Sequence, residues 1–440
     1  MHPSWPSQAD LHRLFDTGRQ LATLDNGVRV LTLDLPHQPI ASVSVFVRCG
    51  SGHEAPRSNG IGHVIEHMAF KGTQRRDARH LNLDAERLGA EVNAHTDKDH
   101  TAFHMRGLAG DAPTLVQMLG DIVQHATFPE AELAREREVL LHEFTEDEDD
   151  PMSTAYKLFD RACHGRHALA QPVIGSRANI QRFGRSDLVA HVRRHYTGVN
   201  VVVAAAGALD TRAVQCAAEA SFGSLPAGSE NRLAAPPWLG GVQARSQPGS
   251  SQTHLVLGFP IPPLQADDPT AALAAALLGE GMSSPLMDQL REQRGLVYYA
   301  ACSADAIDSL GQFVIEASTA PGQVDDCLAA LATLLHEQAQ RILPVDLERA
   351  RQQTLVRQLR ALEQPGRRLE EAALDLLVHG RLRSRADWLG RLHAVSADRL
   401  RQAFAEMQAA GAALALSGRV PRGLADRARS ALAAQGLMRG

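Results

Sequence analysis

The sequence predicts an α+β protein of two homologous domains, each a mostly antiparallel sheet packed with helices, related by internal duplication. Three observations carry that reading. Strands and runs of helices come in the same order twice along the 440 residues. The closing units of the two rounds, VVVAAAGALD and AALALSGRV, fall about 210 residues apart. Between the rounds lies a stretch rich in Pro, Gly and Ser (PAGSENRLAAPPWLGG, then SQPGSSQ), the composition of a linker. The expected division is 20–224 for the first domain, 225–252 for the linker and 253–432 for the second. One large irregular α/β domain is the competing reading.

The elements follow in order. Asp25-Asn26-Gly27 is a turn signal between two strands. An apolar strand runs from Ala41 to Cys49, and Gly50 and Gly52 break it. A helical pattern spans Gly60 to Lys71, and a shorter one spans Leu81 to Leu88. The alternating stretches Glu91 to His95 and Thr101 to Arg106 suit a hairpin. Helices are expected at 112–126, 130–148, 152–163 and 186–195, with Pro129 and Pro151 where helix starts tolerate proline. A β-rich run, Asn200 to Ala206, and a helix ending near Gly223 close the half. The second half offers a strand at His254 to Phe259, helices at 270–279 and 284–294, and β-like runs at Leu296 to Ser303 and Gln312 to Ser318. Helices at 322–340, 345–363, 367–378 and 397–408 and a strand from Ala412 to Leu416 complete it.

Composition removes several function classes. Apolar residues at 44% and charged residues at 22% are ordinary for a globular chain, which excludes wholesale disorder and a fibre. The longest apolar stretches, such as Val201 to Leu209, fall well short of the roughly 20 residues of a spanning helix, so no membrane is expected. Net charge is −5 and no Lys/Arg block dominates, so no nucleic acid is expected. The five cysteines are scattered, odd in number and contain no C-x-x-C, which suits a reducing compartment. The opening residues MHPSWPSQADLHRLFDTGRQL lack a charged-then-apolar signal pattern, so a cytoplasmic location is expected.

The chemistry concentrates at GIGHVIEHMAFKG. His63 and His67 stand four apart on a helical pattern, hence on one face and one turn apart. Two imidazoles so placed can bind one Zn²⁺, with Glu66 beside the open coordination position, in the H-x-x-E-H order of inverted zincins. Given 20 histidines in 440 residues, about 0.05 such matches arise by chance. Catalytic zinc takes three protein ligands plus a water, so a third ligand must come from elsewhere. The pattern PEAELAREREVLLHEF offers Glu136 and Glu143, seven apart and on the same helix face, although a charged helix face is usually just solvated.

The segments HVIEHMAFKGT, GAEVNAHTDKDHTAF and EREVLLHEF together resemble the pitrilysin/insulinase family of zinc peptidases. They are most like its short-chain branch, which includes mitochondrial processing peptidase and its bacterial relatives. The resemblance continues through LAQPVIGSRANIQRF, RRHYTGVNVVVAAAG and LLGEGMSSPLMDQLREQRGLVYYA, and so covers all but the first twenty residues and the linker. It implies a zinc metalloendopeptidase with His63, His67 and Glu143 as metal ligands, Glu143 lying 76 positions beyond the second His. Glu66 is then the general base and Glu136 a supporting carboxylate. Asn93 and Ala94 fall on the family's edge strand, which pairs with an extended substrate. Arg291 and Tyr298 correspond to an Arg/Tyr pair that completes the cleft from the opposite half and can hydrogen-bond the substrate. Where the family pattern continues GMSS with Arg, this chain has Pro285.

The expected substrate is a peptide or unfolded protein segment, enclosed in a chamber between the two chains of a homodimer. The rivals are a non-catalytic assembly subunit of the same fold, or a maturation protease for one precursor that needs a partner subunit. His95 reads as a half-buried strand residue. His100 and His104, four apart on a strand, are set aside as a second metal pair because they lack a nearby cluster of acidic ligands. The acidic run Glu146 to Asp150 reads as a solvated helix end.

Overall fold

In the computed structural model, which describes residues 5–438, the duplication shows in the order of the strands. The first sheet contains β1 (Arg19–Thr23), β2 (Arg29–Asp34), β3 (Ile40–Val47), β4 (Glu91–Thr96), β5 (Thr101–Leu108) and β6 (Val201–Gly207), in spatial order β1-β2-β6-β3-β5-β4. The second contains β7 (Gly241–Ala244), β8 (Thr253–Pro260), β9 (Val297–Ile307), β10 (Leu310–Thr319) and β11 (Ala413–Gly418), in order β7-β11-β8-β10-β9. With β1 left aside, the orders match strand for strand. The directions match too: β2–β6 and β7–β11 are parallel, and the remaining neighbours are antiparallel.

The helices of the first half are α1 (Gln8–Phe15), α2 (Ile61–Ala69), α3 (Ala78–Arg87), α4 (Ala112–His125), α5 (Glu130–Asp149), α6 (Pro151–His164), α7 (Arg177–Arg182), α8 (Arg185–His195) and α9 (Thr211–Phe222). Those of the second are α10 (Thr270–Gly279), α11 (Pro285–Met287), α12 (Val324–Gln340), α13 (Pro344–Ala361), α14 (Pro365–His379), α15 (Arg385–Ala394), α16 (Ala397–Ala410) and α17 (Leu424–Ala434). Four helices, α1, α7, α15 and α17, stand where the sequence reading gave none; each is short and buries only two or three residues. The helix expected at 284–294 is instead one α-helical turn, α11, followed by a π-helical stretch, Asp288–Gln293. Pro285 opens it at the first helical position, where a missing N–H costs nothing.

The segment read as a linker differs most from expectation. It contains β7, the counterpart of β2, which pairs with β11 at the edge of the second sheet. Four residues in Gly- and Pro-rich surroundings show no alternation, so only the distant pairing makes them a strand. Upstream, the Asn231 side-chain amide donates to Arg48 O and His195 O at 2.8 and 3.0 Å, holding the segment against the first half.

Each sheet is covered on one face by helices of its own half and on the other by a helix of the opposite half. From α14, Leu369, Ala372, Ala373, Leu376 and Leu377 pack on Leu31, Leu33, Phe46, Val202 and Ala204 of the first sheet. From α6, Ala155, Phe159, Ala162 and Cys163 pack on Val256, Val314, Ala413 and Ala415 of the second. Burial on both faces explains why β6 and β11 are continuous apolar runs rather than alternating ones. A buried polar seam also joins the halves: Arg48 meets Asp308 at 2.7 Å, and Asp99 accepts the Asp308 N–H at 3.2 Å. Among the described residues no helix is long and apolar enough to cross a membrane.

Candidate metal centre

Helix α2 presents its polar residues on one side because the other is anchored. Ile61, Val64, Ile65 and Met68 enter the first core, which leaves His63, Glu66 and His67 on the opposite face. The helix starts at Gly60, with φ of 95°, and has no side-chain cap of its own. Glu54 takes that role: its carboxylate accepts Gly60 N–H at 2.7 Å, Gly62 N–H at 2.8 Å and the Asn59 amide at 3.1 Å. Burial pushes the Glu54 carboxyl up to about 7 against the pull of these hydrogen bonds. Gly60 also lies back to back with Gly175, where a Cβ on either would meet the other's Cα at 2.8 or 2.5 Å. Glu54 escaped the sequence reading because nothing local distinguishes it from a surface glutamate.

Helix α5 runs beside α2. Leu133, Glu136 and Leu140 are its buried residues, and their spacing places Glu143 on the same seam one turn further. His67 Nδ1 and Glu136 Oε1 are 2.9 Å apart, and Lys71 Nζ donates to Glu136 Oε2 at 2.6 Å. These hydrogen bonds hold the Glu136 carboxyl below its usual range even though burial opposes them. With Nδ1 engaged, His67 turns Nε2 towards Glu143 Oε2, 3.4 Å away, and His63 Nε2 stands 3.7 Å from the same oxygen. The three donor atoms all lie within 4.8 Å of one another.

That set fits Zn²⁺. Two ligands at about 2.05 Å on a tetrahedral ion stand about 3.3 Å apart, and the two imidazole-to-Glu143 separations, 3.4 and 3.7 Å, lie close to that. Burial and the neighbouring His67 push His63 down to about 4, so it is a neutral ring with a lone pair to give. Its Nδ1 is buried without a hydrogen-bond partner. If Glu136 orients His67 for metal, Glu136→Gln will bind Zn²⁺ about 10–100-fold more weakly with the fold intact. Competition against a chromophoric chelator measures this, and an unchanged affinity would remove Glu136 from the site.

His63 and Glu66 open onto a cleft of about 650 Å³ lined also by His95, Thr96, Lys98, Tyr156 and Lys157. Asn93 and Ala94 lie on β4, the terminal strand of its sheet, whose outer edge has no strand partner among the described residues. Ala94 N–H bonds to Asn93 Oδ1 at 2.9 Å. Arg291 sits on the π-helical stretch with its guanidinium carbon 5.7 Å from the Tyr298 ring centroid, and Tyr298 is 80% exposed on β9. Neither residue lines the cleft of its own chain. The structure thus gathers His63, Glu66, His67, Glu136 and Glu143, and leaves the Arg/Tyr pair elsewhere on the surface.

Two minor expectations change. The acidic run is not a bare helix end: Lys157 bonds Asp147 and Glu148 at 2.6 and 2.7 Å, Arg245 bonds Glu148 at 2.7 Å, and Asp150 caps α6. His100 and His104 do not lack acidic company, since Asp99 bonds His100 at 2.7 Å and α14 brings Glu370 to within 3.7 Å of His95.

Residues 29–177 match the family model described as insulinase (peptidase family M16), and residues 182–354 match the one described as peptidase M16 inactive domain. An uncharacterized zinc protease of Rickettsia bellii (strain RML369-C) is 30% identical over 364 residues, covering 82% of this chain and 88% of the relative. Subunit 1 of the mitochondrial cytochrome b-c1 complex of Bos taurus is 31% identical over 284 residues, 64% of this chain and 56% of that protein. A crystal structure of a protease from Helicobacter pylori superposes with a TM-score of 0.83 at 21% identity over 91% of this chain and 99% of its own, a likeness of fold.

Proposed function

The chain belongs to the insulinase family of peptidases, M16, and on that premise we propose that it is a zinc-dependent endopeptidase cutting peptides and unfolded segments. The observation that carries this reading is the convergence of His63 Nε2, His67 Nε2 and Glu143 Oε2 beside Glu66 at the mouth of a cleft. When bound, Zn²⁺ polarises the scissile carbonyl and acidifies a water. His63, His67 and Glu143 would hold the ion, and Glu136 would fix the His67 ring through Nδ1. Glu66 would take the proton of the attacking water and pass it to the leaving amine. An extended substrate would add to the outer edge of β4 at Asn93 and Ala94 through backbone hydrogen bonds, so few side chains need be read.

Arg291 and Tyr298 would serve the cleft of a second copy of the chain. Their position outside their own cleft supports that arrangement, as does the exposure of Tyr298. The resulting homodimer would enclose the substrate, which favours short or unfolded chains. Cysteine usage favours the cytoplasm. The rival of a non-catalytic subunit draws on the likeness to the cytochrome b-c1 protein; the presence of His63, Glu66, His67 and Glu143 together weighs against it. A maturation protease with a separate partner is disfavoured because one chain carries both the zinc-side residues and the Arg/Tyr pair.

The test is digestion of a mixed quenched-peptide library by the purified chain. Cleavage is expected, lost with 1,10-phenanthroline and restored by stoichiometric Zn²⁺. A zinc-loaded, folded chain that cuts no peptide would leave the non-catalytic reading standing instead.

A further inference from the structure

Three imidazoles gather on the face of the first sheet that α14 covers, and none belongs to the zinc site proposed above. His95 is on β4, His104 on β5 opposite both Asn93 and Ser44, and His100 just before β5. His95 Nε2 stands 3.3 Å from His100 Nε2 and 3.7 Å from Oε1 of Glu370, a carboxylate that α14 carries across from the second half. The donor atoms of His95, His100 and Glu370 all lie within 4.8 Å of one another. The 3.3 Å separation matches two nitrogens at about 2.05 Å on one tetrahedral ion.

The outer nitrogen of each ring is held. His100 Nδ1 bonds Asp99 Oδ1 at 2.7 Å, which leaves Nε2 as a bare lone pair when the ring is neutral. This is the carboxylate–histidine arrangement that orients metal ligands. Asp99 is itself tied to the second half, through Asp308 N–H at 3.2 Å. His95 Nδ1 meets His104 Nε2 at 3.0 Å, and His104 Nδ1 meets Ser44 Oγ at 2.8 Å, so that ring is braced as well. Asp99 and His100 are buried and fixed, whereas His95 and Glu370 stand half-exposed, where an ion can enter from solvent.

A metal-free account also exists: a relay of hydrogen bonds from the Ser44 hydroxyl through His104, His95 and His100 to Asp99. It explains the ring contacts but not Glu370, which stands beyond hydrogen-bond length and beside the point where the two Nε2 atoms converge. We propose that His95 Nε2, His100 Nε2 and Glu370 Oε1 form a second transition-metal site, with no donor in common with the first, that takes Zn²⁺ and clasps edge strand β4 to α14. Two neutral nitrogens and one carboxylate leave a position for water, as in other three-ligand zinc sites. Because β4 carries Asn93 and Ala94, the clasp would stiffen the strand assigned to substrate.

The experiment counts metal on the full chain. Protein stripped of metal is loaded with Zn²⁺ at micromolar free concentration, passed through a desalting column and analysed for zinc per chain. Wild type should hold two ions, His63→Ala/His67→Ala one, His100→Gln/Glu370→Gln one, and the fourfold variant none. Co²⁺ bound to His63→Ala/His67→Ala should show tetrahedral ligand-field absorption that vanishes when Glu370→Gln is added. Glu370→Gln alone keeps shape on a half-exposed helix position, so it should fold and still lower the second affinity at least about tenfold. Circular dichroism establishes folding for each variant. A folded His63→Ala/His67→Ala chain that binds no zinc overturns the proposal in favour of the hydrogen-bond relay. So does an ion that persists after His100→Gln/Glu370→Gln in the same background, which would lie elsewhere, for instance at Cys49, His191 and His195. Failure of the first zinc site reads differently: His63→Ala/His67→Ala would then match wild type in zinc content.

Discussion

Glu66→Gln is expected to abolish peptide turnover while the chain keeps its bound zinc. The amide preserves the size and shape of the side chain, and Glu66 lies on the cleft face of α2, away from the apolar residues that anchor the helix. What it loses is the ability to accept a proton. A positioned general base contributes about 10²–10⁴ in rate, or about 3–5 kcal/mol of barrier. The measurement is kcat/KM on a quenched peptide beside zinc content on the same preparation. Glu143→Gln makes the contrast, since replacing a charged donor with an amide should weaken metal retention itself. Should Glu66→Gln keep more than about a tenth of wild-type rate at full zinc occupancy, the general-base role is wrong.

The second large effect is a recovery of activity from two dead proteins. Glu66→Gln lacks the base, and Arg291→Ala lacks the guanidinium that packs over Tyr298. If each cleft takes its zinc side from one chain and its Arg/Tyr pair from the other, a mixed dimer has one cleft with both lesions and one with neither. With free exchange about half the dimers are mixed, each with one working cleft of two, so about a quarter of wild-type activity should return. Mixing restores nothing if Arg291 serves the zinc site of its own chain. Exchange is followed independently by labelling the two variants with different fluorophores. Demonstrated exchange without recovery, from parents each shown to be inactive, excludes a shared cleft.

Local periodicity made the heart of the candidate site legible. His63, Glu66 and His67 at spacings of three and four must share a helix face, and so must Glu136 and Glu143 at a spacing of seven. The repeated order of strands and helices exposed the duplication for the same reason: each round of sequence carries the strands of one whole sheet, so two sheets of one order need the round twice. These are consequences of the helix and strand repeats, which act over a few residues and can be read from a few residues.

Contacts between distant segments carry no such signature, and only the tertiary structure decided them. Nothing near Gly241 marks it as a strand until β11 lies alongside. Glu54 is an unremarkable glutamate until α2 starts against its carboxylate. The carboxylate that faces His95 could not be read beside it in sequence, because Glu370 arrives on α14, the helix that the second half lends to the first sheet. That loan follows from burial: a sheet with two apolar faces must cover both, and the helix that satisfies the second face is chosen by fit and not by proximity along the chain.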